Sequence, residues 1–375
     1  MSIFEEKERF CMKEDKKKIV FFGKFFYPPL GGAERFIHSV FKYLNNKGYN
    51  CYAVCYAHPD VNKRFDRPEI VKWDGIEVHR LPGISMQALC YILETHHPDI
   101  LITHSYDAPI IIDVAKSFGI KTIFGVHFWR NICEVRDNFM NMLTRPMSEV
   151  KLLKDFHRVF YNSDIVYANS VYMVNAVKRF VNFDVDNIIN PVYEEERVIC
   201  QERDPKYITI INPDVGKGGK IFCEIARKMP DVEFKCVGLG QEIFEDNRII
   251  NKEILNLKNV KCVSYTDKVS EIYKDSRVVL VPSLVDETFS MVALESLANG
   301  IPVLCTKYGN LPYILSGEGG YVLDENNIES WVSSIKEMFD EEKYKIKSHE
   351  AFNRSLDFNP QIQFGLFEKL VKKLI

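Results

Sequence analysis

The sequence predicts an α/β protein of two similar halves, each a parallel sheet wrapped by helices, facing each other across a cleft. Three observations carry this prediction. Short apolar runs alternate with amphipathic helical stretches, the alternation restarts after a polar segment near residue 195, and a length of 375 residues suits about two domains. The implied organisation is a polar leader over 1–17, a first Rossmann-like half over 18–195, a second over 204–355, and a C-terminal segment over 356–375.

Composition narrows the class. Hydrophobic residues make up 46% and charged residues 27%, which excludes collagen-like, low-complexity and disordered chains. A net charge of −3 argues against a dedicated nucleic-acid binder. The 10 cysteines are scattered without a C-x-x-C pair, so neither a zinc ribbon nor a thioredoxin-like site is supported, and a reducing compartment is expected. No apolar stretch reaches the ~18 residues that span a bilayer. The leader MSIFEEKERFCMKEDKKK lacks the apolar core of a secretory signal, so a cytoplasmic protein is expected.

In the first half, Ile19 to Gly23 reads as a strand that stops at the Pro/Gly-rich loop 23-GKFFYPPLGG. A helix is expected from about Ala33 to Asn46, because Phe36, Ile37, Val40, Phe41 and Leu44 form one apolar stripe, and Gly48 ends it. Further strands are 51-CYAVCYA, 76-IEVHRL, 99-DILITH and 121-KTIFGVH, with a helix between the last two. The polar stretch 189-INPVYEEERVICQERDP reads as a linker. In the second half the strands are 207-YITIIN, 233-EFKCVG, 260-VKCVSY, 277-RVVLVPS and 302-PVLCT. Helices are expected near Gly219–Lys228, Val269–Asp275 and Thr288–Asn299. A cleft between two such halves is a usual ligand site, because parallel sheets bind ligands at the carboxyl ends of their strands.

The segment 280-LVPSLVDETFSMVALESLANGIPVL is the most informative. Glu287 sits where loop becomes helix, which suits either the helix dipole or a ligand hydroxyl. Glu295 sits among Met291, Val292, Leu294, Leu297 and Ala298; it either reaches solvent or turns into a cleft, where its oxygens suit the vicinal hydroxyls of a ribose. In 211-INPDVGKGGKIF, Gly216, Gly218 and Gly219 permit close backbone approach, and Lys217 adds a cation at a helix start; this reads as a plain turn or as a diphosphate site. The turn 31-GGAE opens the first helix, and His127 ends a strand, where a histidine is either structural or a ligand group.

The Glu287-to-Glu295 spacing, followed by Leu-Ala-Asn-Gly-Ile-Pro-Val, resembles the signature of family-four glycosyltransferases of the GT-B fold, and motifs from about Lys17 onward fall in that family's order. The resemblance implies a retaining, metal-independent enzyme that moves a hexosyl-type sugar from a nucleotide diphosphate sugar, of UDP or GDP type, to a glycan, lipid-linked or small-molecule hydroxyl. No cofactor is implied. It assigns Glu287 and His127 to the donor sugar and Glu295 to the ribose. Lys217 and Gly218 go to the diphosphate, and Gly31, Gly32 and the backbone of Phe289, Ser290 and Met291 lie close to the donor. The family usually carries an arginine where this chain has Asn212, so one cation of the clamp is missing. Gly238-Leu239-Gly240 is similar to a turn beside the base, and Tyr313 replaces a family glutamate, so no role passes to it.

The acceptor side is less specified. The stretch 128-FWRNICEVRDNFMNMLTRP, with Arg130, Arg136 and Arg145, reads as a loop meeting an acidic or lipid-linked acceptor or as a solvated helix pair. The tail 364-FGLFEKLVKKLI is amphipathic and basic. It suits a peripheral contact with the inner membrane face, or, as the resemblance implies, packing back onto the first half. A sugar-nucleotide epimerase of the same fold and a non-catalytic nucleotide-sugar binder are the competing classes.

Overall fold

The structure is a computed structural model and describes residues 16–26, 31–58, 63–134, 142–194, 204–240, 245–264, 266 and 269–375. The leader up to residue 15, residues 27–30 of the first loop, 135–141 with Arg136, and 195–203 of the linker lie outside the described residues.

The first half runs β1 (Lys18–Gly23), α1 (Gly32–Asn46), β2 (Asn50–Cys55), β3 (Glu69–Trp73), β4 (Ile76–Arg80), α2 (Met86–His96), β5 (Ile100–Thr103), α3 (Ala108–Ser117), β6 (Lys121–Val126), α4 (Lys154–Asn162), β7 (Ile165–Ala168), α5 (Val171–Val181) and β8 (Asn187–Ile188). Its eight strands lie in the order β3-β4-β2-β1-β5-β6-β7-β8. The second half runs β9 (Tyr207–Ile211), α6 (Gly219–Lys228), β10 (Phe234–Val237), α7 (Glu245–Asn256), β11 (Val260–Val263), α8 (Val269–Tyr273), β12 (Ser276–Val281), α9 (Met291–Ala298), β13 (Val303–Cys305), α10 (Leu311–Leu315), β14 (Gly320–Val322), α11 (Ile328–Glu337) and α12 (Glu341–Ser355), ending in α13 (Pro360–Lys372). Its six strands lie in the order β11-β10-β9-β12-β13-β14.

The central strands are apolar on both faces because helices cover both faces. Ile19 and Phe21 of β1 pack under α1 and α13, while Val20 and Phe22 pack against α2 and α3. One strand departs from the parallel expectation. Glu69–Trp73 pairs antiparallel with β4 at the sheet edge, and it is mostly exposed, so its sequence carries no buried-strand pattern.

In each half the strand order turns about one strand, β1 in the first and β9 in the second, and the carboxyl ends of these strands feed the loops that face the cleft. The last two helices join the halves. α12 packs on α9, and α13 crosses back to α1, burying Phe364, Phe367, Leu370 and Val371 in the first half's core. Phe367 lies 6.1 Å from the Phe36 ring and 5.5 Å from that of Tyr167, and the Tyr43 hydroxyl donates to Glu368 over 3.0 Å. The apolar face of the tail helix is therefore taken up by protein. No helix among the described residues is long and apolar enough to cross a membrane.

Candidate active site

A cavity of about 410 Å³ lies between the halves, and Gly31, Gly32, Asn212, Lys217, Glu287, Ser290 and Met291 all line it. Three helix N-termini converge there: α1 opens at Gly31, α6 just after Lys217, and α9 at Ser290. The Gly31, Gly218 and Ser290 caps make no side-chain hydrogen bond of their own; at α1 the Glu34 carboxylate takes the Gly31 and Glu34 N–H groups, and the positive ends of the three dipoles meet at the same region. The two halves touch here, since a Cβ on Gly32 would fall 2.8 Å from Met291 Cγ.

Lys217 Nζ donates to Glu287 Oε1, and Ser283 Oγ donates to the same oxygen over 3.1 Å. Lys217 is partly exposed at 42% while Glu287 is only 13% exposed, so the pair sits at the wall of the cavity with its cation open to it. Burial lowers the Lys217 pKa, but the charges of Glu287 and Asp214 outweigh it and leave the ammonium above its ordinary value. The side chain is thus a fixed cation at neutral pH.

Backbone geometry holds Glu287 in place. The residue forms a single parallel bridge with Gly309, and Asn310 N donates to Glu287 O over 2.8 Å. Gly309 has φ +68, and a Cβ there would collide with the main chain of Glu287. Gly218, at φ +75, likewise has no room for a Cβ, because the Pro282 carbonyl at the end of β12 presses against it. Gly218 accordingly does not line the cavity; its place is to bring the Lys217 loop against β12.

One expectation needs correction in this segment. The helix expected from Thr288 begins only at Met291, because Glu287 is bridged to Gly309 and Ser290 takes φ 85, ψ 88, outside helical geometry. Asn212 also has positive φ, at 48°, and its N–H continues the β9–β10 pairing to Val237 O over 2.8 Å. An asparagine tolerates that conformation better than a long side chain would.

Other expected residues lie outside the cavity lining. The Phe289 ring is buried against Phe358 at 5.6 Å. The Glu295 carboxylate accepts from the buried Tyr273 hydroxyl over 2.8 Å. His127 is buried, shares a 2.8 Å hydrogen bond between Nε2 and the Tyr167 hydroxyl, and is pushed by burial down to about 3, so the ring is neutral. Its neighbour His104, 5.0 Å away, is neutral for the same reason.

The structure gives partners that no sequence pattern assigned to Ser170, Trp129, Glu34 and Arg130. Ser170 caps α5 by accepting from Met173 N, and its hydroxyl donates across the cleft to Thr288 O over 2.5 Å. Trp129 Nε1 donates across it to Asp286 O over 3.1 Å. Glu34, in the first turn of α1, is buried with its carboxylate folded back on Gly31; burial raises its pKa and the backbone N–H groups of Glu34 and Gly31 oppose the rise. A glutamate three residues after a cap is a sequence signal for this arrangement. Beside it, Arg130 stacks 5.2 Å over the Tyr106 ring.

The chain matches two family models, one described as "Glycosyltransferase Family 4" over residues 30–189 and one as "Glycosyl transferases group 1" over residues 202–354. It is 21% identical over 335 residues to an uncharacterized glycosyltransferase of Methanocaldococcus jannaschii, covering 85% of this chain and 88% of that one. It is 24% identical over 343 residues to a subunit of the phosphatidylinositol N-acetylglucosaminyltransferase of Homo sapiens, covering 83% of this chain and 66% of the human protein. Among solved structures, Anabaena HepE in complex with UDP-glucose aligns at TM-score 0.74 and 15% identity, covering 95% of this chain and 99% of that one. Two facing Rossmann-like halves, a tail helix returning to the first of them, and matches to both family models have one reading: the chain is a glycosyltransferase of the GT-B fold and belongs to family four.

Proposed function

We propose that the protein is a retaining glycosyltransferase that moves a hexosyl-type sugar from a UDP- or GDP-linked donor to a hydroxyl acceptor, without a metal. The observation that carries this is the meeting of Lys217, Glu287 and three helix N-termini on one cavity. A diphosphate leaving group gains negative charge as the glycosidic bond breaks, and a fixed cation with preorganised N–H donors stabilises that charge. This arrangement also offsets the absence of an arginine at Asn212. HepE binds UDP-glucose with the same fold, which favours UDP as the donor nucleotide.

In this reading Glu287 accepts hydrogen bonds from donor-sugar hydroxyls and Lys217 passes from Glu287 to the phosphates. Glu295 holds the ribose, with its carboxylate oriented by Tyr273. His127, neutral and fixed by Tyr167, supports the first half's wall of the donor site. The leaving phosphate takes the acceptor proton on the face where the sugar is transferred, so the anomeric configuration is kept. The hydrogen bonds from Ser170 and Trp129 hold the halves in register, which aligns donor and acceptor and excludes water. The acceptor enters beside Arg130 and Tyr106, and the lipid acceptor in the name of the human relative favours a lipid-linked substrate at the cytoplasmic membrane face.

The test is incubation with labelled UDP- and GDP-sugars, with and without an extracted lipid-linked acceptor pool, followed by NMR of the product anomer. Transfer with retained configuration is expected. Product isomerised without acceptor makes the chain an epimerase, and saturable binding without turnover makes it a sugar-nucleotide binder; either outcome overturns the proposal.

A further inference from the structure

Away from the cleft, at the amino ends of the first half's strands, three metal-ligating side chains converge. Glu77 and His79 stand two residues apart on one face of β4, and His96 is the last residue of α2, which packs on that face. One ligand atom from each lies within 4.8 Å of the other two. We propose that Glu77, His79 and His96 bind a divalent cation of the Zn²⁺ class and thereby tie the edge hairpin β3–β4 to the end of α2.

The donor set selects the cation. Two imidazoles and one carboxylate suit Zn²⁺ and its Irving–Williams neighbours; Ca²⁺ and Mg²⁺ prefer all-oxygen sites. The two imidazoles meet edge to face, with ring centroids 4.7 Å apart at 85°. His79 is only 6% exposed at its side chain and donates from Nε2 to Glu77 Oε1 over 2.7 Å, so the carboxylate already orients this ring. Glu77 is 51% exposed, so its carboxylate has room to turn toward a metal held by the two rings.

A second observation points into the same spot. Tyr52 is the cross-strand partner of Glu77 and is buried, and its hydroxyl has no hydrogen-bond partner among the described residues. Its ring lies 5.2 Å from His96 and 5.8 Å from His79, and after burial it is the Glu77 charge that raises its pKa. A buried hydroxyl without a partner is costly, and a metal-bound carboxylate or water would give it one. His79 and His96 also line a groove of about 790 Å³, through which water can fill the open coordination position. Two cations face the cluster. Lys18 is engaged on the His96 carbonyl over 3.1 Å, and exposed Lys72 lies opposite Glu77 across the antiparallel pair.

The experiment uses the full chain, stripped with chelator and titrated with Zn²⁺ against a chromogenic competitor, with Co²⁺ as a spectroscopic substitute. One equivalent of Zn²⁺ and a Co²⁺ ligand-field band are expected. His96→Gln should weaken Zn²⁺ binding by about ten-fold or more, Glu77→Gln should diminish the Co²⁺ band, and His349→Gln, on the exposed surface of α12, should change neither. Unfolding transitions recorded in chelator show whether each variant is folded. A wild-type chain that takes up no Zn²⁺, or a folded His96→Gln variant that binds as the wild type does, overturns the site.

Discussion

Lys217 and Glu287, 70 positions apart, form an ion pair at the wall of the interdomain cavity. Each is delivered by a loop leaving the carboxyl end of a neighbouring strand, β9 for the lysine and β12 for the glutamate. Lys217→Ala is expected to lower kcat by about 10²–10³-fold, the scale of losing one preorganised donor to a developing oxyanion. Nucleoside diphosphate affinity should fall in calorimetry as well. A double-mutant cycle with Glu287→Gln should be strongly non-additive, because the two side chains touch.

Gly309→Ala is expected to act through Glu287. Its Cβ would strike the Glu287 main chain, and its φ of +68 adds backbone strain. The outcome is a rise in donor KM together with lost stability of at least about 1 kcal/mol. Gly48→Ala is the control: its φ is +96, but nothing lies within 4 Å of the new methyl. Donor KM should be unchanged there, and thermal unfolding should show only the backbone cost.

Ser290 sits at φ 85 without making a cap hydrogen bond, so its side chain contributes no capping in exchange for its strain. Ser290→Gly should stabilise the protein by about 1 kcal/mol, visible as a raised denaturation midpoint at unchanged m-value. An unchanged or lowered midpoint would show that the hydroxyl has a stabilising partner.

Glu34 gives a pH dependence whose sign follows from its shift. Burial raises the folded-state pKa above the ordinary 4.5, so the folded chain binds more protons than the unfolded one as pH rises through that window. Stability from this residue is therefore full below 4.5, declines through the window, and stays reduced above the raised value. Glu34→Gln keeps an acceptor for the Gly31 N–H and removes the charge. It should raise the melting temperature at pH 7 by on the order of 2–4 °C, and leave it unchanged at acid pH, measured by calorimetry at both.

Much of the fold was legible because its signals are local. The stripe Phe36, Ile37, Val40, Phe41 and Leu44 specified α1 from the 3.6-residue period alone, and every one of those residues is buried. Buried parallel strands such as Ile19–Gly23 announced themselves as continuous apolar runs. Glu69–Trp73 did not, since an exposed edge strand gains its structure from pairing with β4 and has no apolar face to display.

The site divides along the same line. Sequence alone pointed to Gly31, Gly32, Asn212, Lys217, Glu287, Ser290 and Met291, which all line the cavity, because they stand in loops and helix starts beyond the carboxyl ends of readable strands. It also left Glu34 in view as a glutamate three residues after a cap. Only the tertiary structure decided that Lys217 pairs with Glu287, that Ser290 delays α9 by three residues, that Glu295 rests on Tyr273, and that Ser170 and Trp129 reach across the cleft. It alone brought Glu77, His79, His96 and Tyr52 to one place. Periodicity encodes which face of an element is buried; which distant side chains share that burial depends on how the elements pack, and no local pattern records it.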